Sequence, residues 1–383
     1  MTGAEVRGSV SAGFDAVADA FGANFARGAE TGAAVSVYRN GEPVVQLYAG
    51  VTDDGSAFTG VTRSVVFSVS KGITTICVLM AAEQGLLSLD TPVAEYWPEF
   101  AANGKSTVTL RQMLAHRAGL VAPDEPITMQ QLQEWSPVAD ALAAQEPTWE
   151  PGTAHAYHAI TFGWLAGEAL RRATGHRPAE WLQHHIAEPL GIQLSFGVDP
   201  SSADFSYQIV PPPSSTPDRP AATTADLEAV AMQNRIMGMH GAFDGAHLFD
   251  SANRPDFLAA ELPAANLVAT ADELAQIYAA TVGGLNGVEL LQPATVRDAL
   301  RVQSSGPPFL GDDWGLRWGT GFMIDSLTRR MAGAGSFGHD GAGGQLAFAH
   351  AGTGLSFAYV TNRPGGDADS RAESLCEALR SCL

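Results

Sequence analysis

Lysine is nearly missing from this chain. Its 383 residues contain two, Lys71 and Lys105, against 41 acidic side chains. The formal net charge is −19. A surface of that sign repels a phosphate backbone, which argues against nucleic acid as a partner, and it gives no attraction to an anionic membrane. Cysteine is as sparse: Cys77, Cys376 and Cys382 are the only three. An odd count at wide spacing implies neither a disulfide framework nor a zinc pattern, and buried or spare thiols are expected. No apolar run approaches 18 residues, so no transmembrane helix is expected. The opening stretch, Met1 to Phe21, lacks a basic segment followed by an unbroken apolar core, so it does not read as a signal peptide. The default left is a cytoplasmic enzyme. There is no internal repeat and no His-Glu-x-x-His. His184-His185 with Glu188 lacks a third metal ligand, so neither a metal nor another cofactor is expected. No serine has the Gly-x-Ser-x-Gly setting, which removes the main support for an α/β-hydrolase fold.

What is present is globular. Hydrophobic residues make up 45% and charged residues 16%, too apolar a mixture for disorder. The length is large for a single core, so two lobes are expected. Residues 11–27 have helical periodicity, with Phe14, Val17, Ala18, Phe21 and Phe25 on one face. Ala33–Tyr38 and Pro43–Gly50 read as strands, and Asn40-Gly41 between them is a hairpin signal. A helix is expected over Ser68–Gln84, closed by Gly85. Further helices are expected at Leu110–His116, Met129–Glu134, Pro137–Ala144, Thr161–Thr174, Pro178–Ile186 and Ala271–Thr281. The proline-rich stretch Pro211 to Pro220 reads as an irregular surface crossing. Gly319–Asp325, Gln345–His350 and Leu355–Asn362 read as strands, and Asp367–Leu379 as a closing helix. Strands near both ends with helices between them predict an α/β lobe from residues 1–85 and 285–383, with 86–284 inserted as a mainly helical lobe. A cleft at their junction is the expected place for a site.

The leading chemical candidate is Ser68-Val69-Ser70-Lys71. One of the two lysines follows a serine by three residues at an apparent strand-to-helix junction. Positions i and i+3 share a helix face, so Ser68 and Lys71 can touch, whereas Ser70 is rotated about 100° from Lys71. A serine hydroxyl needs a base beside it to act as a nucleophile. A lysine supplies one once burial lowers its pKa, and Val65, Val66, Phe67, Val69, Ile73 and Ile76 make burial reasonable. At a helix N-terminus Ser68 would also have free backbone N–H groups nearby. On its own, the tetrapeptide fits equally well a serine cap followed by a surface lysine.

Three segments together resemble a known superfamily. Phe67-Ser68-Val69-Ser70-Lys71-Gly72 is similar to the nucleophile motif of class C β-lactamases, D-alanyl-D-alanine carboxypeptidases and family VIII carboxylesterases. Tyr157-His158-Ala159, led in by Glu150-Pro151-Gly152-Thr153, resembles the Tyr-x-Asn motif in its esterase form. Gly338-His339-Asp340-Gly341, followed by Ala342-Gly343-Gly344, resembles the Lys-Thr-Gly or His-x-Gly motif at a strand edge. Leu114-Ala115-His116-Arg117-Ala118-Gly119-Leu120 looks like the His-x-Ser-Gly-Leu segment, with Ala118 in place of serine. The resemblance spans roughly residues 30–365. It implies an antiparallel sheet flanked by helices with an inserted helical domain, and a serine hydrolase that forms an acyl-enzyme on Ser68. It implies Lys71 and Tyr157 as its other catalytic residues, and the backbone N–H groups of Ser68 and Ala342 as the oxyanion hole. The phenol of Tyr157, near a Lys71 ammonium, is expected to have a lowered pKa.

Two departures bear on the substrate. Ala159 replaces the asparagine and His339 replaces the lysine, so one amide and one permanent cation are missing. Both favour a neutral small-molecule ester over a carboxylate-bearing lactam or peptide. His339, Gly341, Trp314 and Trp318 are the candidate substrate-binding residues, and Trp135 and Trp149 could add to an apolar pocket. His116 is expected to be structural. The competing readings are an acyltransferase on the same fold, a β-lactamase or D-amino-acid peptidase, and a non-catalytic binding protein.

Overall fold

The computed structural model describes residues 4–199, 205–210, 224–366 and 369–383; the crossing from Pro211 to Pro220 lies outside them. Twelve strands are present among the described residues: β1 Arg7–Val10, β2 Gly32–Arg39, β3 Glu42–Gly50, β4 Ser64–Val65, β5 Ser195–Phe196, β6 Leu267–Ala269, β7 Ser304–Ser305, β8 Arg317–Trp318, β9 Met323–Ile324, β10 Ser336–Asp340, β11 Leu346–His350 and β12 Leu355–Thr361. Nine form one antiparallel sheet in the order β1-β3-β2-β12-β11-β10-β9-β8-β7, and β4-β6-β5 form a small second one. Strands from the two chain ends thus meet where β2 pairs with β12. The α/β class and the antiparallel sheet flanked by helices are as the sequence implies.

The pleat explains the layering. Successive side chains of a strand point to opposite faces. On β2, Ala33, Val35 and Val37 join Val17, Phe21, Leu375 and Leu379 from the helices Asp15–Ala26 and Arg371–Ser381, and Phe14 at the N-cap of the first. Ala34 and Tyr38 face the larger core on the other side, where the helix Ala271–Ala280 packs. On β11, Leu346 and Phe348 serve the first layer, and Ala347 and Ala349 the second. Small residues there let the helices lie close to the sheet. Between β2 and β3, Asn40 and Gly41 both have positive φ, 53° and 79°, the backbone that a two-residue hairpin matching strand twist needs.

Several boundaries differ from the sequence reading. Gly319–Asp325 is not one strand: β8 and β9 flank a turn in which Gly321, at φ 79°, sits against the Thr75 side chain. Strand β10 has no run of β-branched residues to announce it. Pro178–Ile186 is a helix only to Leu182 and continues as a wider π turn over Gln183–Ala187. The closing helix is Arg371–Ser381, and Asp367 is outside the described residues. The short strand β1, the helix Thr224–Met237 and the helix Pro293–Ala299 have no counterpart in the periodicity.

The helix that carries the serine-lysine motif, Val69–Glu83, is buried from Val69 to Ala81. It packs against the helix Phe162–Thr174 and against β10, and Gly72 lets Tyr278 approach it. A Cβ at Gly72 would lie 2.1 Å from the Tyr278 hydroxyl oxygen, which is buried without a partner among the described residues. Overpacking of this kind costs about 1–3 kcal/mol. Gly72→Ala is therefore expected to lower the thermal midpoint by several degrees while leaving a folded protein, as thermal denaturation followed by circular dichroism will show.

Candidate active site

Ser68 stands at the N-cap of Val69–Glu83, at the end of a sharp turn out of β4. Val66 N–H donates to Leu267 O at 2.9 Å, and Val69 and Ser70 N–H donate back to Val66 O and Phe67 O. To make this turn Phe67 takes φ 48°, a left-handed backbone that costs a bulky side chain on the order of 1–3 kcal/mol. Its ring is buried and meets Phe249 edge to face at 5.4 Å. The result is a partly exposed Ser68 between buried neighbours. No glycine or asparagine marks this conformation in the sequence. Ser70 is turned inward, and its Oγ accepts the Leu267 N–H at 3.0 Å.

Lys71 is fully buried. Its Nζ lies 3.1 Å from Ser68 Oγ, 2.6 Å from Ala159 O and 2.9 Å from Ala264 O. Burial pushes the ammonium well below the ordinary lysine pKa, with only Asp340 opposing. A neutral amine suits the geometry: two N–H bonds go to the carbonyls, and the lone pair is left for the Ser68 O–H. The two carbonyls were not legible as ligands, because a backbone group has no sequence signature.

The Tyr157 O–H donates to the same Ser68 Oγ at 2.9 Å. Its phenol does not have the lowered pKa expected from a neighbouring ammonium. Burial pushes it up, and the hydrogen bond with Ser68 opposes this only in part. Lys71 Nζ lies over the Tyr157 ring, 4.8 Å from its centroid. Trp318 stacks on that ring at 5.5 Å, and His116 lies at 5.0 Å. Hydrogen bonds on either side of Tyr157 fix it in place. Ala156 N–H donates to His116 O at 3.1 Å, and His158 N–H to His116 Nδ1 at 3.2 Å. His158 in turn donates through Nδ1 to Ala156 O at 2.7 Å and accepts the Leu120 N–H at 3.1 Å. Burial lowers both imidazoles, His158 to about 4, so they bond as neutral rings.

His339, on β10, is 1% exposed and 6.0 Å from the Tyr157 ring. Its Nδ1 is 2.6 Å from Asp340 O, which makes Nδ1 the protonated nitrogen and leaves Nε2 a buried acceptor without a partner among the described residues. Burial lowers this imidazole to about 4 as well. Gly341 has no room for a side chain: a Cβ would be 2.3 Å from Val66 O. That close approach sets the 341–344 turn beside the segment entering Ser68. Among the described residues, neither the Ser68 N–H nor the Ala342 N–H donates to a protein group.

The tryptophans divide. Trp318 is against Tyr157, and Trp149 meets His158 at 6.0 Å and Phe309 at 5.0 Å. Trp135 is not at the site: its indole donates to Glu168 in the helical core. Trp314 is 66% exposed and has no ring contact with Tyr157 or Trp318. His184 lies 3.3 Å from Glu188 and His185 stacks on Trp181, and no group of three metal-ligating side chains occurs among the described residues. None of the helices in the described residues is long and apolar enough to cross a membrane.

Comparison with known proteins shows the family and the fold. The Beta-lactamase family model matches residues 14–379. The chain is 33% identical over 369 residues to the Esterase/beta-lactamase LipL of Mycobacterium tuberculosis, covering 94% of this chain and 84% of that one. A family VIII carboxylesterase of known crystal structure superposes with a TM-score of 0.84 at 30% identity, covering 99% of this chain and 100% of its own. A penicillin-binding protein homolog from Caulobacter crescentus superposes with a TM-score of 0.85 at 31% identity, again covering 99% and 100%.

A fluorophosphonate probe followed by peptide mapping is expected to mark Ser68 and not Ser70. Ser70→Ala should keep the label and lose about 1 kcal/mol of stability, since only the Leu267 N–H loses its acceptor.

Proposed function

The chain belongs to the beta-lactamase family and is a carboxylesterase, and we propose that it cleaves neutral carboxylic esters through an acyl-enzyme on Ser68. The observation that carries this reading is the pair of partners on one oxygen, Lys71 Nζ at 3.1 Å and the Tyr157 O–H at 2.9 Å. Lys71, its ammonium disfavoured by burial, takes the Ser68 proton as Oγ attacks the ester carbonyl carbon. The carbonyl oxygen becomes an anion and is met by the N–H groups of Ser68 and Ala342, each worth about 3 kcal/mol to such a transition state. Collapse breaks the bond to the alcohol oxygen. Tyr157 gives that oxygen its proton and recovers one from the Lys71 ammonium, so alcohol leaves and the acyl group stays on Ser68. Water then attacks the acyl carbon, its proton passes to the Tyr157–Lys71 pair, and Ser68 recovers a proton as the acid departs. The crevice is taken to lie between an α/β lobe of residues 1–85 and 285–383 and a helical lobe of 86–284.

Substrate choice follows from charge. A neutral His339 offers a hydrogen-bond acceptor at Nε2 where the peptide-cleaving pattern has a cation, and Ala159 brings no side-chain amide. Both suit an uncharged small-molecule ester. A second reading, β-lactam hydrolysis, is favoured by the double name of LipL. Comparable turnover of nitrocefin and a p-nitrophenyl ester would support it over the first.

Ser68→Ala and Lys71→Ala are expected to abolish p-nitrophenyl ester turnover, and Tyr157→Phe to cut it by several orders of magnitude, with circular dichroism unchanged. Retained turnover in Ser68→Ala would overturn the reading. The sign of the pH dependence follows from Lys71. The base acts only when deprotonated, so kcat/KM rises with pH through its lowered pKa and is lost as pH falls through it. The acid limb should lie well below the ordinary lysine range. Intact-mass analysis during turnover of a slow ester is expected to show the chain carrying one acyl group.

A further inference from the structure

The proposed oxyanion donor Ala342 sits in Gly341-Ala342-Gly343-Gly344, a stretch with three glycines and one methyl side chain. Glycine-rich backbone has the greatest conformational freedom, and misplacing a catalytic group by about 1 Å can lower a rate about 100-fold. The turn has two hydrogen bonds of its own, Gly341 N–H to Gln345 O at 2.7 Å and Gly344 N–H to Gly341 O at 3.2 Å. Neither involves Ala342 or Gly343. What holds the Gly343 carbonyl comes from elsewhere: Arg371 Nη2 donates to it at 2.8 Å, and the Gly365 N–H at 3.0 Å.

Arg371 is the first residue of the C-terminal helix and is 3% exposed. Two carboxylates grip its guanidinium. Asp369 accepts from Nε at 2.9 Å and from Nη2 at 2.7 Å. Glu30, with a fully buried side chain, accepts from Nη1 at 3.0 Å and from the Thr361 hydroxyl at 2.8 Å. Nη1 also donates to Arg363 O at 3.0 Å and Ala29 O at 3.2 Å. The loop backbone lies directly on this cluster. A Cβ at Gly344 would come within 2.4 Å of Asp369 Oδ2 and 2.9 Å of Arg371 Nη2, and one at Gly365 within 2.2 Å of Asp369 Oδ2. On the other side, Phe249 seals Gly343, whose added Cβ would be 3.2 Å from its ring.

We propose that Arg371 is a positioning residue for ester cleavage. Clamped by Asp369 and Glu30, it holds the Gly343 carbonyl and so aims the Ala342 N–H at the developing oxyanion. All its donor atoms are engaged within the protein, so it does not itself bind substrate. A lysine cannot take its place, because a point-like ammonium lacks the planar fork that reaches a carboxylate and a carbonyl together. The inference rests on the reading of Ala342 as an oxyanion donor.

The test compares the full chain with Arg371→Lys and Asp369→Asn. Turnover of a p-nitrophenyl ester is measured together with inhibition by an alkylboronic acid, whose tetrahedral adduct with a serine resembles the transition state. Arg371→Lys is expected to lower kcat at least tenfold with KM within twofold, and to weaken boronate inhibition by the same factor as kcat/KM. Asp369→Asn should give the same pattern with a smaller loss, and serves alone if Arg371→Lys does not fold. Active-site titration with a fluorophosphonate normalises each rate to folded enzyme. Rates and boronate affinity within twofold of wild type after that correction, in whichever variant folds, overturn the proposal. Ser68→Ala separates this from the parent reading. If Ser68→Ala is inactive while the Arg371 and Asp369 variants are unimpaired, only the positioning role is lost. If Ser68→Ala still turns over ester, the reading beneath it fails.

Discussion

The interaction on which the rest depends is the enclosure of the Lys71 amine beside Ser68. An ammonium at that depth without a carboxylate partner would carry a large desolvation penalty. The protein supplies two backbone carbonyls, Ala159 O and Ala264 O, which hold a neutral amine as well as a charged one. These carbonyls come from segments 88 and 193 residues away. The segment leading into the helix Phe162–Thr174 and the one leading into β6 must therefore both be in place before the lysine has its environment. Tyr157 comes with the first of them, and Leu267, which anchors Ser70 and Val66, with the second.

Around that amine the structure keeps charge low. His116, His158 and His339 are buried imidazoles, each lowered first by burial. The phenol of Tyr157 is raised by the same burial. On the proposed reading, the resting site holds neutral acids and bases, and charge appears only as the ester is attacked. An ion-paired cluster is placed behind it: Arg371 with Asp369, and with Glu30, whose carboxyl burial pushes up to about 7, stands under the 341–344 turn and reaches the site only through backbone.

The second lysine makes an instructive contrast. Lys105 is as buried as Lys71, and it too donates to carbonyls, those of Ala102 and Gln145. It closes a loop and meets no nucleophile. Composition treats the two alike. What set them apart in advance was a serine three positions earlier on a helical face, together with tyrosine and His-x-Gly motifs in order along the chain.

The alternation of β2 and the Asn40-Gly41 turn are local properties, and for that reason β2, β3, β11 and β12 were legible in the sequence while β1, β7 and β10 were not. The class of fold and the three side chains that meet at one oxygen were legible through the ordered motifs and the resemblance they carry. Periodicity and motif spacing act over a few residues and survive any arrangement of the rest. Only the tertiary structure decided the remainder. The direction in which the Tyr157 pKa moves, up where a nearby cation was expected to lower it, is set by how completely the ring is enclosed. The left-handed Phe67, the carbonyls that bind Lys71 and the Arg371 clamp use backbone groups or partners up to hundreds of residues apart. The exposure of Trp314 and the inward burial of Trp135 followed from packing that no residue type specifies. Burial and backbone direction are properties of the assembled chain, and they set the charge of the groups that the sequence had already named.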